Sequence, residues 1–198
     1  MKKIVIPIVL ILLLILLFSF SEKIYNDNIP KVENKVGEKQ IETIKENNNP
    51  KTQYKDHVIL DKDSKSMKIS DIKDNKPMII NYFATWCPPC KNELPYFNKA
   101  YNQYKDKVNF LIIDLIDDSS ETIDNGIKFF KDNNYDLPLY FDYNSIGYSL
   151  YNRQYIPITV FVDRDGNIVH LQQGSLTERA LVELINKLIG DTESENKV

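Results

Sequence analysis

Cysteine and histidine are scarce in this chain: two of each among 198 residues. Two cysteines cannot build a disulfide scaffold, and with no second Cys pair they cannot close a four-ligand structural zinc site. The histidines, His57 and His170, stand far from the cysteines in short strand-like stretches, and read as packing or surface residues rather than ligands or bases. No dense Lys/Arg patch occurs, and the net charge is −3 with a pI near 5.5. That balance excludes an ordinary nucleic-acid binder. There are no internal repeats, and no Met or His cluster supports copper handling, although two soft sulfurs could hold Cu(I). Nothing in the pattern requires a cofactor or a metal.

One long apolar run stands out. Met1-Lys2-Lys3 precedes Ile4 to Phe18, interrupted only by Pro7; with Ser19-Phe20 it approaches the ~20 residues that span a bilayer. The leading lysines orient the N-terminus to the cytoplasm and the remainder outside. The run is at or beyond the ~7–15 residue apolar core of a signal peptide, which favours an uncleaved anchor over residues 1–20. Ser19-x-Ser21 leaves cleavage as the alternative. No cysteine follows the run, so a lipid-modified N-terminal cysteine is excluded. Residues 21–53 are rich in Asn, Lys and Glu without a sustained period. They read as a flexible linker with a reach of roughly 30 Å.

A folded domain is expected over residues 54–190, with 191–198 as a disordered tail. His57–Leu60 and Ser66–Ile69 suggest a β-hairpin. Met78–Phe83 reads as a buried strand by its continuous apolar character. Pro88–Tyr104 reads as a helix with Leu94, Phe97, Tyr101 and Tyr104 on its core face and a kink at Pro95. Val108–Ile113 follows as a strand, Ser120–Asn133 as a helix, Leu137–Phe141 as a strand and Ile146–Tyr151 as a short helix. Ile158–Val162 and Asn167–Leu171 form a second hairpin around Asp163-Arg164-Asp165-Gly166. Ser175-x-x-Glu178 suggests a capping box for a last helix that buries Leu181, Leu184, Ile185 and Leu188 and stops at Gly190. The alternation indicates an α/β domain with a mixed sheet.

The two cysteines are only three apart, in Cys87-Pro88-Pro89-Cys90. They follow a strand and open a helix. A helix mouth offers unpaired N–H groups and a favourable dipole, so a thiolate at Cys87 is stabilised. Cys90, one turn on, is placed to resolve a mixed disulfide. Pro88 and Pro89 suit the first helical turn, stiffen it, and remove two N–H donors, so a moderate depression of the Cys87 pKa is expected. A merely structural disulfide is disfavoured because so short a step closes almost no loop. The residues point to thiol–disulfide exchange.

The stretch from Asn81 to Pro95, with Trp86-Cys87-Pro88-Pro89-Cys90 at its centre, Pro95 five residues after the second cysteine, and Ile156-Pro157 later, resembles the thioredoxin superfamily. More closely it resembles the membrane-anchored TlpA/ResA-type disulfide reductases. The similarity covers roughly Tyr54 to Gly190, and Ser120–Phe141 matches the helix–strand insert of that subfamily. The resemblance implies a thioredoxin-like fold with a mixed central sheet and an N-terminal β-hairpin, preceded by one transmembrane helix. It implies that Pro157 is a cis-proline opposite the cysteines, and that Trp86, Pro88, Pro89, Ile156 and Pro157 meet the substrate. Glu93, three residues past Cys90, is implied as a proton acceptor and tuner of the pair. Asn81 stands where cytosolic thioredoxins carry a buried Asp, and Phe83 where a tryptophan is usual.

The implied activity is reduction of disulfides in exported proteins such as apocytochrome c, on the outer side of the cell membrane. A membrane electron donor of the CcdA/DsbD kind would recharge the pair. An oxidase or isomerase using the same residues is the alternative, separable by reduction potential. A peroxiredoxin reading is weaker, because Ile80 and Ala84 stand where its Pro and Thr belong.

Overall fold

The computed structural model describes residues 52–117 and 119–195. The expected anchor (1–20), nearly all of the expected linker (21–53) and the last three residues lie outside the described residues.

Seven strands form one mixed sheet in the order β2-β1-β5-β4-β3-β6-β7. Its centre is β3 (Met78–Phe83), whose six residues are all buried, as a continuous apolar run requires. β3 runs parallel to β4 (Asn109–Ile116) and antiparallel to β6 (Ile158–Val162). β6 turns back into β7 (Ile168–Gln173) through Gly166, which takes a positive φ of 89°. On the other side β4 is parallel to β5 (Leu139–Tyr143), and β5 pairs with the hairpin of β1 (Val58–Leu60) and β2 (Ser66–Lys68).

Alternation along β3 sends Ile79, Asn81 and Phe83 to one face of the sheet and Met78, Ile80 and Tyr82 to the other. The first face is covered by α2 (Pro88–Tyr104) and α5 (Glu178–Glu195), which bring Leu94, Phe97, Leu181, Ile185 and Leu188 against it. α3 (Ile123–Asp132) adds Phe130 beside Phe83. The second face carries α1 (Ile69–Ile72) and α4 (Ile146–Ser149). There His57 is buried against Tyr82, the packing role expected of it, whereas His170 packs on Phe161 on the first face.

Several boundaries differ from the sequence expectation. The fold begins slightly before Tyr54: Gln53 bridges Asn167, and the Ile168 amide donates to the Thr52 carbonyl. β4 runs three residues past Ile113, because Asp114 continues the strand as a buried residue instead of ending it. α3 starts at Ile123, not Ser120. The Asp117 carboxylate first accepts from the amides of Ser119, Ser120 and Glu121, and Thr122 then caps the helix. The box at Ser175 is also corrected: α5 begins at Glu178, capped by Thr177, whose hydroxyl accepts from the Ala180 amide at 3.3 Å. α5 passes through Gly190 and ends at Glu195, so residues 191–195 are helical rather than tail. Gly190 keeps a negative φ, and no proline follows to stop the turn.

Candidate active site

β3 ends at Phe83, and the chain makes one tight turn before α2. The Cys87 amide donates to the Ala84 carbonyl at 3.1 Å. Cys87 is the N-cap of α2, and prolines occupy the first two helical positions, where no intrahelical acceptor is lost. The Cys90 amide donates to Cys87 Sγ at 3.3 Å. The two sulfurs are joined in a disulfide, with Cα atoms 5.3 Å apart.

The two sulfurs are not equivalent. Cys90 is fully buried, and Cys87 is 3% exposed. Cys87 is therefore more covered than the sequence suggested. The reason is the loop opposite: the Ile156 carbonyl oxygen lies 4.0 Å from Cys87 Sγ. That loop holds the cis Ile156-Pro157 bond implied by the resemblance. The Pro157 carbonyl is taken by the Gly174 amide at 2.8 Å. Trp86 is 58% exposed beside Cys87, and Pro88, Pro89 and Tyr155 are also exposed, so the rim around the sulfur is open to a partner.

Below the pair, Glu93 is buried one turn past Cys90, with 1% exposure. Its Oε1 accepts from Asn81 Nδ2 at 2.9 Å, and its Oε2 from the Leu176 amide at 2.7 Å. Asn81 also donates to Thr159 Oγ1 at 3.0 Å. Burial pushes the Glu93 carboxyl up to about 7, although both hydrogen bonds work to lower it. A carboxyl with that proton affinity can both hold and release a proton at neutral pH. The bond to Leu176 also explains the late start of α5: the chain is still committed to Glu93 at that point.

The structure thus brings together Cys87, Cys90, Glu93, Ile156 and Pro157, with Trp86, Pro88 and Pro89 at the rim. Sequence reasoning missed Thr159 and Leu176, which complete the Glu93 site, and a further buried pair, Asp114 and Glu121, beside Thr85. Period-2 alternation could have found Thr159, because it faces Asn81 across the β3–β6 register. Ile80 and Ala84 are fully buried and apolar, so a peroxide would find no hydroxyl from position 84.

Residues 48–171 match the model of the AhpC/TSA family. A thiol-disulfide oxidoreductase ResA of Bacillus thuringiensis subsp. konkukian is 30% identical over 134 residues, covering 66% of this chain and 73% of that protein. The chain belongs to the AhpC/TSA family, among its ResA-type thiol–disulfide oxidoreductases. The ResA of Oceanobacillus iheyensis is 32% identical over 128 residues, covering 64% of each chain. Among solved structures, a thiol:disulfide interchange protein of the thioredoxin family from Chlorobium tepidum superposes with a TM-score of 0.61 at 20% identity. It covers 72% of this chain and 99% of its own, which establishes the thioredoxin-like fold of this ResA-type chain.

Proposed function

We propose that this protein reduces disulfides in exported proteins on the outer side of the cell membrane, with Cys87 as attacking sulfur and Cys90 as resolving sulfur. The observation that carries the reading is the asymmetry of the pair. Cys87 caps the helix and keeps 3% of its surface exposed beside an open rim, and Cys90 is fully buried one turn above a buried carboxyl with a raised proton affinity.

In the reduced protein, the Cys87 thiolate attacks one sulfur of a substrate disulfide. A mixed disulfide forms, and the other substrate sulfur leaves as a thiolate. Glu93 takes the proton from Cys90, and the Cys90 thiolate attacks Cys87 Sγ. The Cys87–Cys90 disulfide forms and the second substrate thiolate departs. Two electrons pass from the pair to the substrate. Pro88 and Pro89 donate nothing to the Cys87 thiolate, and an ionised Glu93 opposes it. Both features favour the thiol form and hence a reducing pair. A substrate strand would lie along Ile156 beside the cis-proline, flanked by Trp86.

The lysine-led apolar run at the N-terminus supports an anchored protein whose redox domain lies outside the cytoplasm. A pair that ends each cycle oxidised needs a reductant there, and a membrane donor of the CcdA/DsbD kind meets that need. Apocytochrome c is the candidate substrate. Trapping tests the reading: full-length Cys90→Ser in the producing cell is expected to accumulate a mixed disulfide through Cys87 with an exported cysteine protein. Failure to trap any such partner, or trapping of cytoplasmic proteins alone, contradicts it.

A further inference from the structure

Three buried carboxyls lie on the cysteine face of the sheet, and the exchange chemistry uses one of them. Glu93 has its role; Asp114 and Glu121 have none. Asp114 stands on β4 in register with Phe83, fully buried. α3 presses directly onto it at Gly126, where an added Cβ would meet Asp114 Oδ2 at 2.4 Å. Neither Asp114 oxygen accepts a well-formed hydrogen bond. Glu121, equally buried, lies on the loop between β4 and α3. Its Oε2 accepts from the Thr85 amide at 2.8 Å and the Thr85 hydroxyl at 2.7 Å, while Oε1 has no partner. Its own backbone is fixed at both ends by Asp117: the Glu121 amide donates to Asp117 Oδ1 at 3.0 Å, and its carbonyl accepts from the Asp117 amide at 3.0 Å.

Two neighbouring carboxylates in a dry interior are not both ionised without a large penalty. The donors decide which one keeps the proton. Thr85 gives Glu121 two; Asp114 receives nothing comparable. Burial first, and the charge of Glu121 second, push Asp114 up to about 8, offset only in part by the Leu115 amide. At neutral pH the proton of the pair therefore sits on Asp114.

Thr85 lies in the turn that presents Cys87. The Cys87 amide bonds back to the Ala84 carbonyl, and that carbonyl carbon is bonded to the Thr85 nitrogen. These few steps link the Glu121 carboxylate to the Cys87 sulfur through Thr85 and the Ala84 carbonyl. The other charged groups near the pair are Glu93 below it and the exposed Lys91 after it on α2; the buried His57 is across the sheet. Thr85 gives both of its donors to Glu121 and the two prolines have none, while the Cys90 amide donates to Cys87 Sγ.

We propose that Glu121 is a positioning residue that fixes a negative charge beside the turn carrying Cys87, raising the proton affinity of that thiol and keeping the Cys87–Cys90 couple reducing. The inference rests on Cys87 being the attacking thiol.

Two isosteric variants of the full-length protein test it. Glu121→Gln retains an oxygen able to accept both Thr85 bonds and removes the charge. Asp114→Asn exchanges one neutral group for another. Two readouts are taken: the pH dependence of Cys87 alkylation in the reduced protein, and the dithiol–disulfide equilibrium against glutathione. Glu121→Gln is expected to lower the proton affinity of Cys87 about three- to tenfold and to move the equilibrium toward the dithiol. Asp114→Asn is expected to leave both at parental values. A parental titration in Glu121→Gln overturns the inference, and an equal shift in Asp114→Asn overturns the location of the charge. Should Glu121→Gln fail to fold, Glu121→Met, which also removes the charge, is read in the same way: a lowered proton affinity of Cys87 supports the inference and a parental titration overturns it. Insulin reduction by the parent in the same buffers separates failure of this inference from failure of the exchange chemistry itself.

Discussion

Cys87 and Cys90 carry the same functional group, and their surroundings make them different. One caps a helix and keeps 3% of its surface exposed; the other is fully buried. Glu93 is the residue whose titration should be most visible. An ordinary glutamate releases its proton near 4.5, and this one near 7. Between those values the folded protein holds a proton that the unfolded chain gives up. The stability contributed by this group is therefore complete below about pH 4.5 and is lost as pH rises through 7. Glu93→Gln removes that slope. Chemical unfolding at pH 5 and pH 8 should show the parent losing more stability than the variant, and equal losses would contradict the buried carboxyl. At this scale Cys87 and Cys90 were legible in their spacing, and Glu93 and Pro157 through the family resemblance. Asp114 and Glu121 were not. A charge at the end of an apolar run reads as a strand terminator, and only the fold shows that α3 closes over it at Gly126.

Elements were easiest to read where one pattern acted alone. β3, α2 and β6 fall on the expected residues, since each is a continuous apolar run or a sustained helical stripe. Boundaries moved where a side chain competed for backbone groups. Asp117 delays α3 by capturing three amides, and Glu93 delays α5 by capturing that of Leu176. A sequence window contains no trace of a partner 83 residues away. α2 matters most, because it carries both cysteines and Glu93 on one rigid rod and its packing holds them in place. Phe97 is its fully buried anchor against the sheet. Phe97→Ala should cost about 3–5 kcal/mol of stability in denaturant unfolding. A loss below about 1 kcal/mol would mean that α2 is held elsewhere. The ion pair between Lys99 and Glu178, which joins α2 to α5 at the surface, is expected to contribute little by comparison.

Taken as a whole molecule, the chain divides its tasks. The N-terminal run and the polar stretch after it bear on where the protein works, and they lie outside the described residues. Among the described residues no helix is long and apolar enough to cross a membrane. The described domain bears on what the protein does. Its sheet puts the apolar faces inward and sets a buried polar group, Asn81, Glu93 and Thr159, beneath the exchange pair. The hairpin and the helix–strand insert extend the sheet on the side away from β6, and the insert delivers Glu121 to the active-site turn.

The central claim, that Cys87 is the sulfur that meets the substrate, is tested most directly by competition between the two thiols. The full-length protein is reduced and treated with a limiting amount of iodoacetamide at pH 7, and the label on each cysteine is followed by peptide mass spectrometry. Cys87 is predicted to be alkylated first, with Cys90 labelled only after it. Labelling of Cys90 ahead of Cys87, or of both at one rate, would contradict the account.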